Sequence, residues 1–147
     1  MLDNTWMRLD GNIIIGGMTS PFVTEWRDTH QTVLNYALPV TTWLDEFEEQ
    51  DGFKILFDHH PENHERATKD RNIDLILSGH AHGGKIRIFN QGRYASHQGF
   101  FPKYTACVYD DRFVVSRGLS NISKIPRLWN PTEFVYIKLE FVRNLYE

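Results

Sequence analysis

Residues 73–84, Ile-Asp-Leu-Ile-Leu-Ser-Gly-His-Ala-His-Gly-Gly, constrain the fold more than any other stretch of the chain. Ile73 to Leu77 is a short apolar run that reads as a buried strand. The run ends at Ser78-Gly79, and two imidazoles, His80 and His82, follow with Gly83-Gly84 behind them. Glycine on both sides lets the backbone take φ > 0 and turn sharply. A strand that opens into such a turn displays its side chains at the carboxyl end, where open α/β sheets place their sites. Two histidines held there suit a divalent metal, because neutral imidazole ligates most first-row ions.

The segment Lys54-Ile55-Leu56-Phe57-Asp58-His59-His60-Pro61 repeats the same grammar, an apolar strand with a histidine at its end. A helix-like segment separates the two strands. Strand, helix and strand of that length form a β-α-β unit, which brings both strand ends to one edge of a parallel sheet. His59, His80 and His82 are therefore expected to converge.

GHAHGG after an apolar strand, with ILFDHHP upstream, resembles the C-terminal half of a calcineurin-like metallophosphoesterase. Gly99-Phe100-Phe101-Pro102-Lys103-Tyr104-Thr105-Ala106 and Val114-Val115-Ser116-Arg117-Gly118-Leu119-Ser120-Asn121 are similar to the tail of the bacterial predicted-phosphohydrolase subgroup. The resemblance covers the chain from about residue 9 onward. It implies an α/β fold, part of a calcineurin-like α/β-β/α sandwich, with a first half α/β and a second half mainly β. It implies two divalent ions in the intact family, with Mn, Fe, Zn, Co and Ni not distinguished by the ligand types. Those ions polarise a phosphoester and supply a hydroxide for in-line attack. By position, the metal ligands it implies here are His59, His80 and His82. Lys85 and His97 are the candidate substrate contacts, Lys85 as a point charge for a phosphate oxygen. His60 is expected to point away from the site, and His64 to lie on a helix surface.

The early half of the family's site, Asp-x-His, Gly-Asp and Gly-Asn-His, has no counterpart. Asp28-Thr29-His30 matches the first in letters, but a helix-like pattern precedes it, and residues two apart on a helix point away from each other. Gly11-Asn12 is followed by Ile13 rather than histidine. Three neutral imidazoles offer no carboxylate to bridge two ions. The 147 residues are therefore read as the C-terminal portion of a metallophosphoesterase domain, one domain over 1–147. Two alternatives stand beside that reading. One is a non-catalytic metal-binding or interaction remnant of the family. The other is a DHH-type phosphoesterase built on Asp58-His59-His60.

Composition narrows the partners. The net charge is −3 with no long basic run, which argues against a nucleic-acid duplex; the expected phosphoester substrate is what the family resemblance implies. No stretch is apolar enough to span a bilayer. Localisation is cytoplasmic by default, with membrane association left open if the natural N-terminus lies upstream. Cys107, the single cysteine, sits in an apolar run and is expected to be buried. Loss of early strands would leave a sheet edge open to a second copy of the chain.

The remaining elements follow from pattern. Asp10-Gly11-Asn12 is a turn before a strand at Ile13-Ile15. Residues 24–38 read as a helix. Val40, Trp43, Leu44 and Phe47 fall at i, i+3, i+4 and i+7, a second helix. Pro61 opens a short helix. Cys107–Tyr109 and Phe113–Val115 flank Asp110-Asp111-Arg112 as a hairpin, residues 90–104 read as a long loop, and Phe134–Phe141 alternates as a half-buried strand.

Overall fold

The computed structural model describes residues 2–19, 41–95, 98–120 and 126–140. The expected helix at 24–38, Asp28-Thr29-His30 and His97 lie outside the described residues.

The fold is mixed α/β around a six-stranded sheet. Its strands are β1 (Thr5–Leu9), β2 (Ile13–Met18), β3 (Phe53–Asp58), β4 (Leu75–Ser78), β9 (Cys107–Tyr109) and β10 (Phe113–Val115), in the order β1-β2-β3-β4-β10-β9. The four central strands run parallel, and an antiparallel strand closes each side. Two small ladders stand apart: β5 (Arg87–Ile88) with β6 (Gln91–Gly92), and β7 (Tyr94–Ala95) with β8 (Gly99–Phe100). Residues 90–104 are thus folded back in short pairs rather than forming one continuous loop. Among the described residues no helix is long and apolar enough to cross a membrane.

The alternation in β2 explains the layering. Ile14 and Met18 enter the core with Leu56, Ile76, Phe113 and Val115. Helix α1 (Thr42–Glu48) covers that face with Leu44 and Phe47, the two buried members of its apolar stripe. A Cβ on Gly16 would stand 3.1 Å from both the Phe47 and Trp43 rings, so the small residue sets how closely α1 approaches. Arg71 ties α1 to the segment before β4, bonding Asp45 and Glu48 at 2.7 and 2.9 Å. Asp74 staples the two parallel strands by accepting the Lys54 N–H at 2.7 Å.

The opposite face carries Met7, Ile15, Ile55 and Leu75 in one register row and Phe57, Leu77, Val114 and Val108 in the next. That face is apolar and only partly covered, with Met7, Phe57 and Val108 exposed. Residues 131–140 cross part of it, where Phe134, Val135 and Ile137 share a cleft with Leu77 and Val114.

Three sequence expectations are corrected here, and one strand was missed. Residues 134–140 form no strand, and Phe134, Tyr136, Ile137 and Leu139 are exposed. Alternation says which face a residue would take, but supplies no neighbouring strand to pair with. Cys107 is exposed, on the outermost strand β9. His64 is 1% exposed, stacked on Phe113 at 4.0 Å between ring centroids and bonded to Thr68 Oγ1 at 2.9 Å. β1 was not foreseen, although the turn at residues 10–12 that joins it to β2 was. The outer strands β1 and β9 are the edges of the described sheet.

Candidate metal centre

β3 and β4 are parallel neighbours, with Phe57 opposite Leu77, so both chains leave the sheet at the same end. β3 ends at Asp58. Its carboxylate accepts the His60 N–H and the Asn63 side-chain amide, each at 3.1 Å, and its carbonyl accepts the Ser78 hydroxyl. These contacts stop the strand and turn the chain into a 3-10 turn at Pro61–Asn63 and one π-helical turn at His64–Thr68. β4 ends at Ser78, and the following backbone is strained. His80, His82 and Lys85 have φ of 54°, 47° and 39°, and Gly83 and Gly84 have 70° and 74°. Left-handed non-glycine residues crowded into one loop are a mark of functional sites.

The two loops meet. His59 Nε2 lies 3.3 Å from His80 Nδ1. The His60 ring centroid is 4.1 Å from that of His80, and His60 Nδ1 lies 3.2 Å from Glu62 Oε1. His60, Glu62 and His80 each offer one ligand atom, all within 4.8 Å of one another. His60 therefore turns into the site, contrary to the sequence expectation. The strand has ended at Asp58, so the alternation that would send His60 to the far face no longer operates. Glu62 follows the Pro61 that the sequence marks as a helix start, a position that suggests no ligand. The Pro61-Glu62 pair carries that meaning in sequence, and only the tight turn brings the carboxylate back toward His60.

His82 is not among the grouped ligand atoms. Its carbonyl accepts the Asn130 amide at 2.7 Å, and its ring lies 3.4 Å from Arg127 Nη2. Arg127 also bonds the carbonyls of Arg117 and Ser120 at 2.6 and 2.7 Å, holding that side of the loop to residues 117–120. Sequence patterns did not single out Arg127 or Asn130. Lys85 is 1% exposed and not a solvated lysine; its carbonyl accepts the Leu128 N–H at 3.0 Å.

The electrostatics favour the neutral forms of His59 and His82. His59 is exposed overall, but enclosure of part of its ring, with the charges of His60 and His82, lowers its pKa. Burial, Lys85 and Arg127 lower that of His82. Burial pushes Glu62 up, but the His60 hydrogen bond and the His60 and His80 charges outweigh it and hold the carboxyl below its ordinary value. Neutral histidine and ionised glutamate are the forms that bind metals. The donor set thus fits a divalent ion. A cleft of about 530 Å³, lined by Gly17, Met18, Phe57, His59, Leu77 and Gly79, opens beside these strand ends.

Asp58 behaves oppositely. It is 3% exposed, and burial raises its pKa from 3.8 to about 6 despite the hydrogen bonds from His60 and Asn63. A raised carboxyl pKa contributes stability that is fully present below the unfolded value and is lost as pH rises through about 6. At neutral pH the metal-free protein is therefore less stable than with a neutral group there, by about 3 kcal/mol. Asp58→Asn retains an oxygen acceptor for both hydrogen bonds. In chelator-treated protein it is expected to raise stability by up to about 3 kcal/mol near pH 7.5 and by little below about pH 4. Denaturant unfolding at the two pH values checks this; an equal effect at both would remove ionisation as the cause.

Among curated proteins, the chain is similar to a Bacillus subtilis (strain 168) protein described as uncharacterized protein YpbG. The two are 35% identical over 89 residues, covering 56% of this chain and 32% of that protein. The chain thus spans about a third of the length of this relative. No protein-family model matches the chain, and no solved structure matches it.

Proposed function

We propose that the chain is the C-terminal part of a metal-dependent phosphoester hydrolase with a calcineurin-like sandwich fold. The observation that carries this reading is the meeting of His59 and His80, ring nitrogens 3.3 Å apart, at the carboxyl ends of adjacent parallel strands. The GHAHGG and ILFDHHP resemblance motivates the chemistry. The partly uncovered apolar face of the sheet is in keeping with half of a two-layered sandwich.

His60, Glu62 and His80, whose ligand atoms lie within 4.8 Å of one another, can hold a divalent ion beside the cleft, with His59 next to His80. When bound, such an ion supplies Lewis-acid polarisation of a phosphoryl oxygen and a nucleophile at neutral pH. The chain's own groups do the rest. Low-pKa His59 and His82 stay unprotonated near neutrality, and Asp58 and Ser78 fix the ends of β3 and β4 that carry the imidazoles. The DHH-type alternative needs Asp58 as a ligand. Its carboxylate is buried and accepts bonds from His60 and Asn63, which weighs against that role.

The test uses an aryl phosphodiester with Mn²⁺ and three polypeptides. These are residues 1–147, a polypeptide extended upstream to include Asp-x-His, Gly-Asp and Gly-Asn-His motifs, and the extended form with His80→Ala. Turnover is expected from the extended form alone. Loss of a general acid removes about 10²–10⁴-fold, and loss of a phosphoryl-clamping ion several kcal/mol more. Turnover by residues 1–147 would place the site on other residues. An inactive extended form with all motifs present would favour a non-catalytic metal-binding or interaction module.

A further inference from the structure

We propose that the exposed rings of Phe89, Phe101 and Trp129, with the cations set among them, form a surface that docks on an anionic lipid bilayer. The rings are 97%, 64% and 77% exposed, in that order. They belong to one surface. Phe89 lines a cleft of about 450 Å³ with Trp129, Arg87 and Arg117, and a second of about 490 Å³ with Phe101, Lys103 and Arg87. Backbone bonds tie the segments that carry them. The Arg87 N–H donates to the Leu128 carbonyl, the Leu128 N–H to the Lys85 carbonyl and the Phe101 N–H to the Arg93 carbonyl, each at 3.0 Å.

Each ring is held out by strained backbone. Phe89, Phe101 and Trp129 have φ of 50°, 55° and 50°, left-handed conformations that bulky residues rarely take. Phe89 and Asn90, the latter with φ 66°, form the two-residue turn between β5 and β6. A turn with positive φ at both positions prefers Asn and Gly. Phenylalanine there gains nothing from burial, yet the turn is pinned. The buried Arg87 guanidinium donates to the Asn90 carbonyl, to the Gly83 carbonyl at 2.8 Å and to Thr105 Oγ1 at 3.2 Å. Rings presented on strained, fixed turns, close enough to share two clefts, mark a contact surface.

Charge identifies the partner. Residues 85–131 carry eight Lys and Arg against two Asp and no Glu, a net +6 in a chain of net −3, so the remaining residues carry −9. No Asp or Glu lines either cleft. Arg117 and Lys103 have carboxylate partners in Glu133 and Glu65. Among the described residues, Arg87 bonds carbonyls and a hydroxyl, and Arg93 lies over the Phe101 ring at 5.5 Å, neither in an ion pair. Charge asymmetry of this size along a chain points to an anionic partner. Phenylalanine and tryptophan settle at the headgroup boundary of a bilayer, and cations beside them meet anionic headgroups. Rings that project from turn tips can enter that layer, whereas a nucleic-acid base stacks on a ring presented along a groove. The contact needs neither a membrane-spanning segment nor a metal ion, so it stands apart from phosphoester hydrolysis.

The experiment sediments residues 1–147 with large unilamellar vesicles of phosphatidylcholine, alone or with about 30 mol % phosphatidylglycerol. Binding to the anionic vesicles is expected to exceed binding to the neutral ones by at least about 10-fold, and to weaken as NaCl rises from about 0.1 M to about 0.5 M. Phe89→Asn is expected to weaken vesicle binding by about 10-fold while leaving the denaturant midpoint unchanged or raised, because asparagine suits the left-handed turn. Misfolding would lower both. Tryptophan fluorescence should shift to the blue on anionic vesicles, and Trp129→Phe should remove that shift with binding kept within about 3-fold. Phe134→Ser, which removes an exposed ring on the open face of the sheet, is expected to bind as the parent does. Absence of binding to anionic vesicles, equal binding to neutral ones, or unchanged binding by Phe89→Asn would each overturn the proposal. A loss with Phe134→Ser in its place would move the contact to the sheet face and overturn it too. Retention of a single-stranded oligonucleotide without vesicle binding would make the partner a nucleic acid. A dimer that Phe89→Asn dissolves, again without vesicle binding, would make it a second copy of the chain; either result also overturns the proposal.

Discussion

Gly84→Ala is expected to destabilise the protein by about 2–5 kcal/mol and to displace the loop carrying His80 and His82. Gly84 has φ +74°, and a Cβ there would stand 2.6 Å from the Gly92 Cα. The first feature costs about 1–2 kcal/mol for any L side chain. The second cannot be relieved by a rotamer change, because the obstructing atom is backbone. Two segments, the metal-site loop and β6, would have to part, at about 1–3 kcal/mol of overpacking. Gly99 separates the two terms. It has φ +75° and nothing within 4 Å of its Cβ position, so Gly99→Ala carries only the conformational cost. Equal losses in the two variants, measured by denaturant unfolding, would show that the close approach to Gly92 contributes nothing.

Phe113→Ala is expected to cost about 3–5 kcal/mol. The ring is fully buried in β10. It stacks on His64 at 4.0 Å and meets Tyr104 and Tyr109 at 5.1 and 5.8 Å between centroids. Its removal opens a cavity among three rings that cannot collapse independently, since they are tethered elsewhere. His64 is held by Thr68 and Asp110, and the Tyr104 hydroxyl by Glu65. Val108→Ala, on the exposed outer strand of the same hairpin, is expected to change stability by less than about 0.5 kcal/mol. Comparable losses in the two would mean that the face carrying Val108 is covered in solution.

Parts of this architecture were legible from residues alone. The turn at Asp10-Gly11-Asn12, the strands at 13–15 and 53–57, the helix bearing Leu44 and Phe47, and the hairpin around Asp110-Asp111-Arg112 are local objects. Each is set by turn chemistry or by a hydrophobic period, and each appears. The parallel pairing of β3 with β4 also followed, because a short crossover leaves few other topologies. Residues 134–140 show the limit: their alternation is clear, yet they form no strand among the described residues.

The candidate site divides along the same line. Sequence by itself determined that histidines would stand at the ends of two adjacent strands, because apolar runs ending in His59 and His80 can be placed no other way in a parallel sheet. Only the tertiary structure decided which groups face one another. His60 and Glu62 enter the cluster because Asp58 ends β3 and Pro61 tightens the turn behind it. His82 is not among those ligand atoms, and it contacts Arg127 and Asn130, forty-five and forty-eight residues away. Backbone periodicity fixes a side chain's direction inside a regular element. Past the end of a strand that direction depends on hydrogen bonds to distant residues, and no local pattern encodes them.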